Sequence, residues 1–404
     1  MRKLILAPFL LLLLSVSFGQ PITEEVKSEV LKEVNRILAE RAFVPGADFS
    51  KWPEYLAKRQ EQVDEAKTQG EFVNAVNRAL RDFGMSHIRL QTPRAAELRT
   101  RTTTIGVGLR VKEVADGLEV LTVAPDSPAM EAGLKQGDVI LAIDGKKPES
   151  TEDLPSDAGA KVELKIKMSM GEEKAVSLEV KEYRRVRTDF LSWLDDETAL
   201  LKVHTFSTGY NRQLLEGFVE EARPKAKYLL LDLRSNGGGS TASLNHLISI
   251  LLPPDKAVGA FINRRTAEQY AEETEKPATD PAAIAEWTER KVRTRYGLID
   301  HYPGKIAVLI NSGSASASEI VAQALREVGG APVIGQKSAG AVLASVFGRL
   351  PHGFAIQYPV SDYVSIKGVR LEKNPIVPDV EATGRATTAD DPVVQAAVKK
   401  LKGE

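Results

Sequence analysis

Between about residue 199 and residue 335, short apolar runs alternate with helix-patterned ones, and this alternation restricts the fold more than any other feature. "ALLKVHTF", "YLLLDLR", "KIAVLI" and "APVIG" read as strands; "RQLLEGFVEEA", "ASLNHLISILL" and "SEIVAQALREV" between them read as helices. Strands that are apolar along their length are buried on both faces, and the alternating order puts the helices on those faces. An α/β core over 184–404 is expected. It closes with "DDPVVQAAVKKL", where Asp391 is suited to cap a helix and Pro392 to begin it.

The preceding chain has a different texture. Val26, Val30, Val34, Ile37 and Leu38 fall at helical spacing, as do Phe72, Val73, Val76 and Leu80, so 20–97 reads as a helical domain. From 98 to 183 come the β-rich runs "IGVGLRV", "LEVLTV", "DVILAIDG" and "KVELKIKM", separated by Gly, Asp and Pro. Within the core, "AEETEKPATDPAAIAEWTERK" is polar and helix-prone and is expected to be a surface excursion. The first 19 residues have a basic start (Arg2, Lys3), an apolar stretch, and small residues at Ser17 and Gly19. That is the layout of a secretory signal peptide cleaved after Gly19; an uncleaved anchor is the alternative.

Composition removes whole classes of chemistry. With 404 residues there is enough chain for two or three domains. The 54 basic and 55 acidic side chains nearly cancel, which argues against nucleic acid or an anionic membrane as the main partner. The absence of cysteine excludes disulfides, thiolate nucleophiles and thiolate metal sites. His204, His246, His301 and His352 have no metal-ligand spacing, and neither a metal nor a cofactor is expected.

Two loops carry the chemistry. "NSGSASASEI" sets four serines between a strand and a helix, where one of them either caps the helix, as Ser314 or Ser318 can, or attacks a substrate. "DLRSNGGGS" follows a buried strand with three glycines that allow unusual dihedrals and close approach of a ligand. A phosphate-cradling loop is disfavoured there, because no Gly-Lys-Ser/Thr follows.

"APDSPAMEAGLKQGDVILAIDGKKPEST" resembles the PDZ domains of bacterial extracytoplasmic proteases, S-P-A-x-x-A-G-L-x-x-G-D-x-I-x-x-I-x-G. The order of helical segment, PDZ string and α/β core with S-A-S-A-S-E resembles the C-terminal-processing and tricorn-type serine peptidases of family S41. "LDLRSNGGGS", "GMSHIRL" and "VPDVEAT" add to the likeness. The resemblance implies a multidomain α+β protein: a helical N-terminal domain, a β-barrel-like PDZ domain, and an α/β core of the ClpP/crotonase type. It makes Ser316 the nucleophile, with the N–H groups of Ala317 and of Gly237 or Gly238 holding the oxyanion.

The C-terminal-processing branch has a lysine 25 residues after the nucleophile, but residue 341 here is alanine, and Lys337 is out of register. The tricorn-type branch uses a histidine in a Ser-His pair, matched by Ser86 and His87, and a glutamate near the Pro-Asp motif, matched by Glu372. Relatives often carry glycines after that glutamate; Lys373, Asn374 and Pro375 follow here. The implied function is an extracytoplasmic serine endopeptidase, secreted or periplasmic, that works through an acyl-enzyme. Its PDZ domain would capture free C-termini of protein or peptide substrates at Gly106, Val107, Gly108 and Leu109. The alternative is an inactive relative that binds peptides or apolar ligands in the same cleft.

Overall fold

The computed structural model describes residues 20–403 except 100, 149–150, 156–157, 169–170, 185–186 and 298; the expected signal peptide, 1–19, lies outside the described residues. The chain forms two compact units, one built on 20–22, 66–71 and 105–183, the other on 23–65, 72–104 and 184–404. No helix among the described residues is long and apolar enough to cross a membrane.

The first unit is an antiparallel meander. Strands Leu109–Val114, Gly117–Val123, Val139–Ile143, Lys161–Lys167 and Glu173–Glu179 pair in chain order. Strand Lys161–Lys167 alternates exposed and buried residues, so Val162, Leu164 and Ile166 enter a core shared with Val107, Leu118 and Ile140. Gly108 has φ +86°, and a methyl group there would meet Ser127 Cβ at 2.1 Å, so only glycine fits. Leu109–Val114 is an edge strand of this sheet.

The second unit holds two sheets. In the larger, the order is Val380–Glu381, Val333–Gly335, Lys305–Ile310, Tyr228–Asp232, Thr198–Lys202, Phe190–Asp195, parallel except for the last pair. Successive side chains take opposite faces. Leu229, Leu231 and Val308 join the cluster of helices Thr241–Leu251 and Ala317–Gly329, whereas Leu230, Ala307 and Leu309 pack on Val393, Ala397 and Leu401 of helix Pro392–Lys402. Asp391 caps that helix, accepting the N–H groups of Val393 and Val394.

The smaller sheet is antiparallel and centres on Ala355–Ser365, which pairs with Arg89–Gln91, Ala257–Asn263 and Leu343–Arg349. Its hub is not signalled by any long apolar run. Of the helical stretch expected as a domain of its own, 23–65 and 72–97 are instead compact with this core. Phe72 meets Phe354 edge-on with ring centres 6.0 Å apart, and strand Arg89–Gln91 is hydrogen-bonded into the sheet. The expected surface excursion also has a core: helices Arg264–Thr274 and Pro281–Trp287 bury Tyr270, Ile284 and Ala285 against Ala260, Ile262 and Val364.

Candidate active site

The serine loop joins strand Lys305–Ile310 to helix Ala317–Gly329, and its serines are not equivalent. Ser314 is fully buried; its Oγ donates to the Leu233 carbonyl (2.9 Å) and accepts the Asn311 N–H (3.0 Å). Ser318, also fully buried, donates to the Asn236 carbonyl (2.8 Å). These two hydroxyls tie the serine loop to the glycine loop. Ser316 lies between them and lines a cleft of about 560 Å³.

Ser316 has φ 57° and ψ −117°, a conformation that costs a non-glycine residue about 1–3 kcal/mol. Its N–H donates to the Glu319 carboxylate (3.0 Å) and the Ala341 carbonyl (3.0 Å). Glu319 is fully buried and also accepts from Ser338 Oγ (2.6 Å) and the N–H groups of Gly340 (2.7 Å) and Ala341 (3.1 Å). Burial raises its carboxyl above the ordinary range, and these hydrogen bonds only partly offset the rise. Glu319 thus clamps the strained turn from behind. It was not singled out in the sequence, although the Ser-x-x-Glu spacing of a capping box was there to find.

At the start of the helix the Ala317 N–H has no acceptor among the described residues, as expected of a first-turn amide. The glycine loop lies directly against it. Gly238, at φ +89°, spends its N–H on Asn236 Oδ1 (3.0 Å). Gly237 is exposed, and its N–H has no acceptor among the described residues. Of the two glycines matched to the oxyanion role, Gly237 therefore has the uncommitted donor, whereas Gly238 supplies closeness.

Ser86, His87 and Glu372 form one hydrogen-bonded line. Glu372 is buried and accepts the Ser86 N–H (3.0 Å), the Ser86 hydroxyl (2.7 Å) and the Val342 N–H (2.9 Å). Ser86 Oγ is 2.8 Å from His87 Nδ1. An ionised carboxylate only accepts, so the single Ser86 hydrogen goes to Glu372 and the oxygen lone pair faces Nδ1. The ring hydrogen then belongs on Nδ1, and Nε2 is left as a proton acceptor. Burial pushes the imidazole below its ordinary value; Glu372 opposes that and Arg89 adds to it, with a net lowering.

His87 and Ser316 line the same cleft, and no hydrogen bond joins them among the described residues. Catalytic hydrogen bonds are often long before substrate binds. Lys337 is exposed and outside the cleft. Ala341, 25 residues after Ser316, lies against the Ser316 backbone. Lys373 takes φ 62°, the conformation a glycine after Glu372 would supply, and donates its N–H to the Gly340 carbonyl (2.8 Å).

Gly106, Val107, Gly108 and Leu109 belong to the first unit. There the carbonyls of Val107 and Gly108 accept the N–H groups of Ala129 (2.9 Å) and Ala124 (2.8 Å). Two histidines outside the site have local partners: His246 bonds Tyr210 (2.7 Å) and Glu216 (2.9 Å), and His352 bonds Glu29 (2.7 Å). No group of three or more potential metal ligands occurs among the described residues. Arg89 and Arg99 line the cleft and were not selected from the sequence, although Arg89 stands within "GMSHIRL".

Residues 197–382 match the model of peptidase family S41, and residues 119–167 match that of a PDZ domain. A carboxyl-terminal-processing protease of Picosynechococcus is 26% identical over 78% of this chain and 73% of its own length. The carboxy-terminal processing protease CtpA of Bacillus subtilis is 25% identical over 69% of this chain, and the match spans 56% of that protein. Among solved structures, the photosystem II D1 C-terminal processing protease shares the fold with a TM-score of 0.55 at 19% identity, covering 95% of this chain and 98% of that one. The tricorn protease gives 0.52 at 16% identity, over 94% of this chain and 37% of its own. By these matches residues 197–382 are similar to peptidase family S41, and residues 119–167 to a PDZ domain.

Proposed function

We propose that this protein is a serine endopeptidase that cleaves protein substrates through an acyl-enzyme. Ser316 Oγ attacks the scissile carbonyl while His87 Nε2 takes its proton. The oxyanion is held by the N–H groups of Ala317 and Gly237. His87 then gives the proton to the leaving amine, and water releases the acyl group by the same route. Ser86 and Glu372 hold the ring in the required tautomer and stabilise the imidazolium.

The observation that carries this reading is the Glu372–Ser86–His87 line ending in the cleft that Ser316 also lines. The parallel sheet with helices on both faces supports a ClpP/crotonase-type core over 184–404. The five-strand meander supports a barrel-like PDZ domain over 98–183, preceded by the helical segment 20–97. Its edge strand at Leu109–Val114 suits capture of a substrate C-terminus by strand addition. The apolar leader points to a secreted or periplasmic location.

Alanine at position 341 favours a second reading, an inactive relative that binds peptides. Labelling with a serine-reactive fluorophosphonate separates the two. Modification at Ser316 that Ser316→Ala abolishes, together with new termini in a denatured proteome digest, supports the peptidase. An unlabelled, folded protein overturns it.

A further inference from the structure

The two arginines of the cleft point to the chemistry of its substrate. Arg99 lies over the Phe347 ring at 3.7 Å from the centroid, which fixes the plane of its guanidinium. Arg89 is paired across the smaller sheet with Gln357, and Gln357 is paired on its other side with Phe347. The two cations thus share one end of the cleft, Arg89 on the same row of the sheet as the Phe347 that Arg99 covers. Neither has a carboxylate partner among the described residues, and no aspartate or glutamate there lines the cleft. Further along the same hub strand the lining is apolar: Leu343 pairs with Asp362, and Phe261 with Tyr363.

From Gln357 to Asp362 the hub strand rises about 15–18 Å, at roughly 3.3 Å per residue. An extended substrate rises at the same rate. The Ser316 N–H is bonded to Ala341, close to the apolar end at Leu343. Arg89 stands two positions from His87 in the chain, so the basic end begins about two residues from the reacting atoms.

We propose that Arg89 and Arg99 form a carboxylate subsite, so that the enzyme selects substrates with a negative charge about two to five residues to one side of the scissile bond and an apolar residue near that bond. The inference rests on the peptidase reading and names its substrate class. Two sources could supply the carboxylate: an internal Asp or Glu side chain, or a free C-terminus. Arginine binds either through paired, charge-assisted hydrogen bonds.

The test uses mature full-length protein and internally quenched peptides of one sequence. Glu is compared with Gln at each position from two to five residues away on either side, each with a free or amidated C-terminus. At one position the Glu peptide, or the free acid when the charge is terminal, should have kcat/KM about tenfold or more above its neutral analogue. That ratio should fall toward one in Arg89→Gln and in Arg99→Gln, and should shrink in 0.5 M salt, where such attraction is screened. The ratio is read within each variant, so a general loss of rate does not imitate the effect. Equal cleavage of charged and neutral peptides by the parent enzyme, or a preference that survives both substitutions, overturns the subsite. If no peptide is cleaved, the peptidase reading fails. Binding of the same pairs to Ser316→Ala by fluorescence anisotropy then decides the subsite alone, tighter binding of the acid sustaining it and equal binding removing it.

Discussion

Gly238 stands against Ser316 with no room for a methyl group between them: a Cβ on the glycine would lie 2.7 Å from Ser316 Cβ and 2.9 Å from the Ala317 nitrogen. Gly238→Ala must therefore move Ser316, the Ala317 amide, or both. Activity should fall at least 100-fold, since small displacements of a catalytic group are expensive. The positive φ adds about 1 kcal/mol or more of strain, visible as a lower Tm. An alanine variant with parental kcat would show that the loop yields without cost.

Substitution of the candidate bases should separate them. His87→Ala should lose about 10²- to 10⁴-fold in kcat, and Lys337→Ala less than about twofold. Glu372→Gln should fall between, because an amide offers one acceptor oxygen to a site where three donors converge. An inactive Lys337→Ala beside an active His87→Ala would reverse the assignment.

The pH profile should carry the same signature. Imidazole is an acceptor only above its pKa, and burial holds His87 below the ordinary 6.5. The acid limb of kcat/KM should therefore have its midpoint below pH 6.5. Removing the opposing Glu372 charge should move the midpoint further down, and Arg89→Gln should move it up. A limb above pH 7 would exclude this histidine.

Glu319 makes a prediction about positioning. Four donors converge on its carboxylate, and Glu319→Ala leaves them buried without an acceptor, at about 3 kcal/mol or more. Glu319→Gln should retain more stability but still mismatch some donors. Fluorophosphonate labelling of Ser316 should slow in both variants at temperatures well below their Tm. Unchanged labelling would mean that the turn holds itself.

Away from the cleft, Asp189 should give the fold a pH dependence of its own. Its carboxyl is raised to about 6 by burial, against the opposing His204 N–H, and its Oδ2 has no partner. The unfolded chain ionises near 4, so this group's contribution is most favourable below that and declines as pH rises toward 6 and beyond. Asp189→Asn should remove a decline of about 2 kcal/mol between pH 4 and 7, read as the difference from the parent in denaturant titrations. Parallel curves for the two proteins would refute it.

Some of this was open to reading from residues alone. Strand runs such as "YLLLDLR" declare their burial, and short motifs brought Ser86, His87, Ser316 and Glu372 forward singly. What their linear order does not contain is the partnership. The smaller sheet draws strands from 89, 257, 343 and 355, each short or polar enough to escape notice, so the grouping of Arg89 with Gln357 and Phe347 follows only from the register. The excursion at 271–291 looks solvated in sequence because its Ile284 and the Tyr270 just before it lie on two helices and meet only on the sheet. The Asn236 side chain claims the Gly238 N–H, a local contact that no glycine count distinguishes from a free donor.

The carboxylate of Glu372 and the Ser86 that it holds are 286 residues apart. During synthesis, His87 emerges long before the group that fixes its tautomer, and Ser316 lies between them in time as well as in sequence. Until residue 372 has been added and folded back, the His87 ring lacks the carboxylate that orients it through Ser86. On the proposed mechanism such a chain would gain activity only after most of it has been made, so its unfinished forms would not digest themselves or their neighbours on the way.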